Sequence, residues 1–161
     1  MKALRHPVVH WVVAIALGAV FIYASLDKIA SPRDFARIVY HYRLIGPSAT
    51  LGFLPANLLA VVLPWLELVC GLLLVSGLWR REAALLTAGM LAVFIAAVAW
   101  ALGQGIDIAN CGCFSVTDEG RAAGWKLIAG DLGLLLAALC LVVLPPRRPE
   151  RAEVAEPAHA V

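Results

Sequence analysis

Four long apolar segments dominate the sequence and limit what the chain can fold into. They run from Val8 to Leu26, from Ala56 to Leu78, from Ala83 to Leu102 and from Trp125 to Leu144. Each is close to the roughly 20 residues that a helix needs to cross the hydrocarbon core of a bilayer. Lipid offers the backbone no hydrogen-bonding partner, so apolar runs that cross it fold as helices. The sequence therefore predicts an all-α integral membrane protein, a four-transmembrane-helix bundle with helices at about residues 8–30, 56–78, 82–102 and 125–144.

The overall composition agrees with a membrane protein and argues against a nucleic-acid-binding one. Hydrophobic residues make up 62% of the chain and charged residues 15%, against roughly 45–50% and about 25% in soluble domains. The basic residues are scattered and form no stripe interleaved with aromatics, so we expect no nucleic-acid partner. Lys2 and Arg5 precede the first apolar segment as in a signal peptide. That segment is longer than the roughly 7–15 residues of a signal core, so we expect it to remain as a helix.

A short amphipathic helix is predicted between the first two apolar segments. Ser31 can cap its start, Pro32 suits the first helical position, and Asp34 stands where a capping box places an acidic residue. Apolar side chains then recur at i, i+3, i+4 and i+7, which places Phe35, Ile38, Val39 and Tyr42 on one face. This pattern favours a helix that lies on the membrane surface or folds over the bundle. The alternative is an ordinary loop.

The distribution of basic residues indicates how the chain is oriented in the membrane. Compact basic clusters occur near the N-terminus, at Arg80 and Arg81, and at Arg147 and Arg148. The positive-inside rule then favours cytoplasmic N- and C-termini, with the first and third connectors facing the periplasm or cell exterior. We expect the bacterial inner membrane to be the location. We expect residues 1–144 to form one membrane domain. Residues 145–161 lack apolar periodicity and are expected to form a disordered cytoplasmic tail.

The third connector contains two cysteines one residue apart, Cys111 and Cys113, with Gly112 between them. A disulfide in so small a ring departs from relaxed geometry and is easily reduced, which points to a redox-active pair. A structural staple or two spectator thiols, or half of a metal site, are the alternatives; the connector holds no further Cys or His ligand. Cys70 and Cys140 lie within apolar segments. They are interpreted as small buried hydrophobes, with a deeper relay pair as the alternative.

Two acidic residues, Glu67 and Asp131, lie inside apolar segments. A charge within the membrane costs about 2.5–3.5 kcal/mol on insertion scales, so such residues usually face the bundle interior. Either carboxyl could relay a proton, or it could form a polar clamp between helices, for example with Asn57 or Trp65. Lys28, at the end of the first predicted helix, is interpreted as an interfacial anchor.

Several of these residues together resemble the MauE/DoxX group of redox-associated membrane proteins. The resemblance covers about residues 8–144 and begins with Tyr23–Ile29, whose sequence is YASLDKI. It continues in the same order and spacing through Phe35–Tyr42, Leu44, Leu63–Gly77 (LPWLELVCGLLLVSG), Phe94, Cys111-Gly112-Cys113-Phe114, Trp125 and Asp131.

The resemblance implies a membrane domain tied to periplasmic thiol–disulfide chemistry. Members of this kind are similar to partners of a thioredoxin-like protein and support disulfide formation in the methylamine dehydrogenase small subunit. Cys111 and Cys113 would then be the redox pair, and the chain could act as a thiol–disulfide oxidoreductase. In its general plan the group also resembles vitamin K epoxide reductase and DsbB, which have a helix bundle and outer cysteines and pass electrons toward a quinone. A quinone is therefore a candidate cofactor. Those enzymes are associated with a C-x-x-C pair and further outer cysteines, whereas this chain has C-x-C.

Two functions of other classes remain open alongside the redox function. The first is a non-catalytic membrane assembly factor with structural cysteines. The second is a DoxX-like small subunit of a quinone-linked oxidase complex.

Overall fold

The computed structural model describes residues 7–41, 56–105 and 125–144, and every regular element within these ranges is a helix. The remaining segments contain the predicted tail, residues 145–161, and the third connector with Cys111 and Cys113; those predictions lie outside the described residues. The helices are α1 (Pro7–Ala30), α2 (Pro32–His41), α3 (Ala56–Ser76), α4 (Arg80–Gly103) and α5 (Trp125–Val143).

Three of these helices are long and apolar enough to cross a membrane: α1, the Asn57–Ser76 part of α3, and α4. The fourth long helix, α5, is also apolar, although its qualifying stretch, Ile128–Val143, is shorter. Large apolar side chains remain exposed on the outer faces of these helices, for example Trp65, Val69 and Leu136. Such surfaces suit lipid and not water. The prediction of a helical membrane protein is therefore confirmed.

The four long helices pack in a closed order in which α1 contacts α3 and α5, and α4 contacts the same two helices. A close crossing joins α1 to α3. There a Cβ atom built on Gly18 would lie 2.7 Å from the carbonyl oxygen of Gly71, and a Cβ on Gly71 would lie 2.9 Å from that of Gly18. Glycine at both positions lets the two backbones approach closely, as small residues do in membrane helix pairs.

Helix α2 covers one end of this assembly, which we call the α2 end. Phe35 and Val39 are buried and pack against Ala60, with Leu59 and Leu63 alongside. Pro32 is the first residue of α2, as its fixed φ angle favours. The predicted short helix is thus present, and of the two predicted placements the structure has the one folded over the bundle. Tyr42 lies outside the described residues.

At the opposite end, a tight turn joins α3 to α4. Gly77 has a φ of 79° and Trp79 a φ of 47°, both in the left-handed region. Such a conformation ends a helix. For this reason α3 stops at Ser76 and not at the predicted residue 78, and α4 begins at Arg80 and not at residue 82.

Candidate functional site

The best-defined polar feature of the described residues is an ion pair between α1 and α3, close to the α2 end. The Nζ atom of Lys28 donates hydrogen bonds to Oε1 of Glu67 at 2.8 Å and to Oε2 at 2.7 Å. Lys28 is only 1% exposed and Glu67 only 2%. The interpretation of Lys28 as an interfacial anchor was therefore wrong, because its side chain reaches another helix and not the lipid headgroups.

Aromatic rings from two further helices enclose the Lys28 ammonium. Its Nζ atom lies 5.4 Å from the ring centroid of Phe35 in α2 and 5.3 Å from that of Phe94 in α4. At such distances the negative ring faces attract a cation, more strongly when it is desolvated. The ammonium thus connects four elements, since it belongs to α1, pairs with α3 and contacts rings from α2 and α4.

The partner of Glu67 is Lys28, and not Asn57 or Trp65, the two residues suggested from the sequence as partners in a polar clamp. Asn57 is exposed and Trp65 points outward, whereas Glu67 faces inward on the same helix. Pro64, buried one turn before Glu67, has no N–H, so α3 lacks one internal hydrogen bond there. Glu67 therefore joins α3 to α1 through Lys28, and not through Asn57 or Trp65.

Glu67 and Asp131 both face a small cavity between the long helices. Asp131, in α5, is 1% exposed. The cavity has a volume of about 20 Å³, and its other lining residues come from α1, α4 and α5: Val20, Phe21, Ala24, Leu91, Phe94 and Leu134. A water molecule needs about 10–15 Å³ measured in this way, together with polar partners. The cavity can therefore hold about one water molecule, with two carboxyl groups in its wall.

A cavity of this size does not fit the quinone considered as a cofactor. A quinone ring is several times larger than the single water that about 20 Å³ admits. Within the described residues there is also no group of three or more His, Cys, Asp and Glu side chains placed to hold a metal ion.

Of the four cysteines, the structure describes Cys70 and Cys140, and neither is among the residues that line the cavity. Cys70 is a free, buried thiol within the apolar core and Cys140 is a free, partly buried one. Cys111 and Cys113, the predicted redox pair, lie outside the described ranges.

A second polar junction, at the end of the molecule opposite α2, was missed in the sequence. The Nε2 atom of His10 lies 3.4 Å from the carbonyl oxygen of Leu141, and Nδ1 lies 3.5 Å from an Nη atom of Arg80. The Arg80 guanidinium also stacks on Trp11, 3.8 Å from the ring centroid. These contacts join α1, α4 and α5. The sequence shows only a histidine and a tryptophan near the start of an apolar run. This pattern does not indicate which distant residues they contact.

Fold and site together define a multi-pass helical membrane protein with a buried charge cluster between its helices. A family model described as methylamine utilisation protein MauE matches residues 6–144. The chain therefore belongs to the MauE family, and the resemblance inferred from its motifs is confirmed.

The curated relatives named methylamine utilization protein MauE include the following three. The protein of Paracoccus denitrificans is 30% identical over 138 residues, which cover 86% of this chain and 70% of the relative. That of Paracoccus versutus is 31% identical, with 92% and 76% covered. That of Methylophilus methylotrophus is 33% identical, with 86% and 70% covered. No solved structure matches the chain.

Proposed function

We propose that this protein is a membrane thiol–disulfide component used in methylamine utilisation. It passes electrons between a periplasmic thioredoxin-like partner and the membrane, and so supports maturation of a periplasmic protein such as the methylamine dehydrogenase small subunit. Membership of the MauE family carries this proposal, since its relatives are named for methylamine utilisation. The Cys111-Gly112-Cys113 element supplies residues suited to the chemistry.

The proposed arrangement is a four-helix membrane domain at residues 1–144, with α5 as the fourth crossing and residues 145–161 as a cytoplasmic tail. Two observations support the fourth crossing. Helix α5 has 19 residues, close to the roughly 20 that span a bilayer. Leu141, near its end, contacts His10, near the start of α1, and Asp131, near its start, lines the same cavity as Ala24 of α1, so α5 lies antiparallel along much of α1. Cytoplasmic termini in the inner membrane would then place α2 and the third connector in the periplasm.

The proposed reaction is an exchange between two dithiol–disulfide pairs. A thiolate of the partner attacks the Cys111–Cys113 disulfide, and a mixed disulfide forms while the other cysteine leaves as a thiolate. The second thiol of the partner then displaces the bound cysteine. The partner is oxidised to a disulfide and Cys111 and Cys113 become a dithiol, so the two electrons and two protons are accounted for. The reverse direction transfers the disulfide to this chain.

Glu67 and Asp131 take supporting roles in this proposal. Glu67 holds Lys28, and this contact fixes α1 against α3 close to the end where α2 lies. A structural role for Glu67 is thus supported by its geometry, and the two carboxyls are also proposed to handle protons.

Serine substitutions at the two cysteines test the exchange in cells that make methylamine dehydrogenase. We expect Cys111→Ser and Cys113→Ser each to abolish maturation of the small subunit. In the reverse direction a thiolate of this chain attacks the disulfide of the partner, and the second cysteine of this chain resolves the mixed disulfide. The variant that keeps the attacking cysteine lacks this resolving thiol, so it should accumulate a mixed disulfide with a thioredoxin-like protein, seen on non-reducing gels. Cys140→Ser serves as the matched control and should leave maturation intact.

A different outcome would favour the assembly-factor alternative. If both serine variants are made at normal levels and the small subunit still matures, the cysteines are structural or idle. Thiol exchange would then no longer be the function of this chain.

A further inference from the structure

The cavity between Glu67 and Asp131 has a chemistry that the thiol exchange does not use. We propose that these two carboxyls and one water molecule in the cavity share a proton, forming a proton-binding site inside the membrane domain with Lys28 as its fixed counter-ion. The residues that form this site all lie within the described ranges. It does not depend on the function proposed for Cys111 and Cys113.

The two carboxyl groups belong to different helices and meet only at this cavity. Glu67 comes from α3 and Asp131 from α5, and both are almost fully buried. Among the described residues, apolar side chains form the rest of the wall, so a water molecule placed there has the carboxyl oxygens as its partners among these lining side chains. A volume of about 20 Å³ admits about one such water. The water would thus bridge groups that belong to separate helices.

The charge arrangement favours one retained proton. Lys28 donates to both oxygens of Glu67, and a carboxyl that accepts two bonds from an ammonium is stabilised in its ionised form. Asp131 faces the same apolar-walled space as this anion, and two carboxylates that share a buried site do not ionise together readily. Asp131 makes further contacts of its own. Both carboxyls face one water-sized space.

The other helices around the cavity contribute few groups that titrate. Among the described residues, α4 faces it with Leu91 and Phe94, and α2 covers Lys28 with Phe35. On α3, Cys70 follows Glu67 by three positions and is buried in the apolar core. The shared proton is therefore assigned to the pair of carboxyls and their water, with Lys28 and Cys70 as the titratable neighbours.

Infrared spectroscopy of the full chain in lipid nanodiscs tests this assignment at neutral pH. A protonated buried carboxyl gives a carbonyl stretching band that ionised surface carboxyls lack, and the band shifts in D2O because its proton exchanges. We expect such a band in the native protein. A ¹³C label at the side-chain carboxyl of aspartate should shift the band if Asp131 holds the proton more often. The same label on glutamate should shift it if Glu67 holds the proton more often.

Three substitutions connect the band to this site. Asp131→Asn should abolish it. Asp131→Glu should retain it and make it sensitive to the glutamate label. Asp34→Asn, which alters an exposed carboxyl on α2, should leave it unchanged.

The proposal fails if the native protein shows no such band, or if the band survives Asp131→Asn. It also fails if neither isotope label shifts the band. This last result is obtained on the native protein, so it decides the matter even where a substituted chain does not fold.

Discussion

Lys28 and Arg37 are both basic, yet their side chains have opposite environments. Lys28 is buried between α1 and α3 and bonded to both oxygens of Glu67. Arg37 lies on the outer face of α2 with its side chain 83% exposed, and its guanidinium is 3.5 Å from Asp34. Exposed pairs contribute about 0–1 kcal/mol. A buried pair has an asymmetric effect, because losing one partner leaves the other charge without compensation.

The asymmetry gives a prediction for Lys28→Met. Removing the ammonium leaves the Glu67 carboxyl buried without its cation, so we expect a loss of about 3–5 kcal/mol in the free energy of unfolding. The change is measured by thermal unfolding of the purified protein in detergent, with size-exclusion chromatography used to monitor the folded fraction. Arg37→Met is the matched control and should cost less than about 1 kcal/mol.

The double variant Lys28→Met/Glu67→Leu separates the charge effect from lost packing. It should recover most of the stability, because no uncompensated charge then remains in the interior. Equal losses in the single and double variants would show that the ion pair has no special role.

The sequence predicts that a residue lies in the interior more readily than it predicts which residue of another helix is its partner. Glu67 and Asp131 were identified as interior groups, because a carboxyl inside an apolar run has few other places to go. Lys28 was misassigned, because a lysine at a helix end usually reaches the headgroups. Its true partner is visible only once α1 and α3 are packed together. His10 and Arg80 were missed for the same reason.

At the scale of elements, the long helices follow from their apolar runs, and the largest differences from the expected bounds, at Ser76 and Arg80, lie at the turn between α3 and α4. Helix α2 followed from Pro32 and from the apolar spacing of Phe35 and Val39. What the pattern could not settle was whether that apolar face meets lipid or protein. It meets α3, and Phe35 thereby covers the Lys28 ammonium.

Phe35→Ala should expose the ion pair at the α2 end. The lost ring removes a buried side chain, a change that costs about 3–5 kcal/mol in protein cores, and it opens a path to Lys28. We expect an amine-acylating reagent to modify Lys28 in the variant at least several-fold faster than in the native protein, as measured by mass spectrometry.

Tyr40→Ala provides the comparison for α2, because Tyr40 is a large exposed side chain on the same helix. It should leave the reactivity of Lys28 unchanged. Rapid modification of Lys28 in the native protein would contradict the covering role of α2.

The close crossing of α1 and α3 is tested by the substitution Gly18→Ala. In Gly18→Ala the new methyl group would lie 2.7 Å from both the Gly71 carbonyl oxygen and a methyl carbon of Val75, so the helices must separate. We expect a loss of about 1–3 kcal/mol, as for other overpacked sites. Gly89→Ala is the matched control, since nothing lies within 4 Å of its added Cβ. It should be neutral or stabilise the protein by up to about 1 kcal/mol.

For the whole molecule, the testable property is which end faces the periplasm. In a variant without the native cysteines, Arg37→Cys introduces a thiol on α2, and Arg81→Cys introduces one at the start of α4. Both positions are exposed. With cytoplasmic termini, a membrane-impermeant maleimide should label the first thiol in spheroplasts and the second only after lysis. The opposite pattern would reverse the proposed orientation.

The ion pair also has a consequence for how the chain is made. Lys28 and Glu67 belong to separate helices, and a lone charge that enters the bilayer costs a few kcal/mol. During synthesis α1 emerges from the ribosome well before α3. We therefore expect α1 to wait beside the translocon until α3 arrives, so that the two helices enter the lipid as one neutralised hairpin.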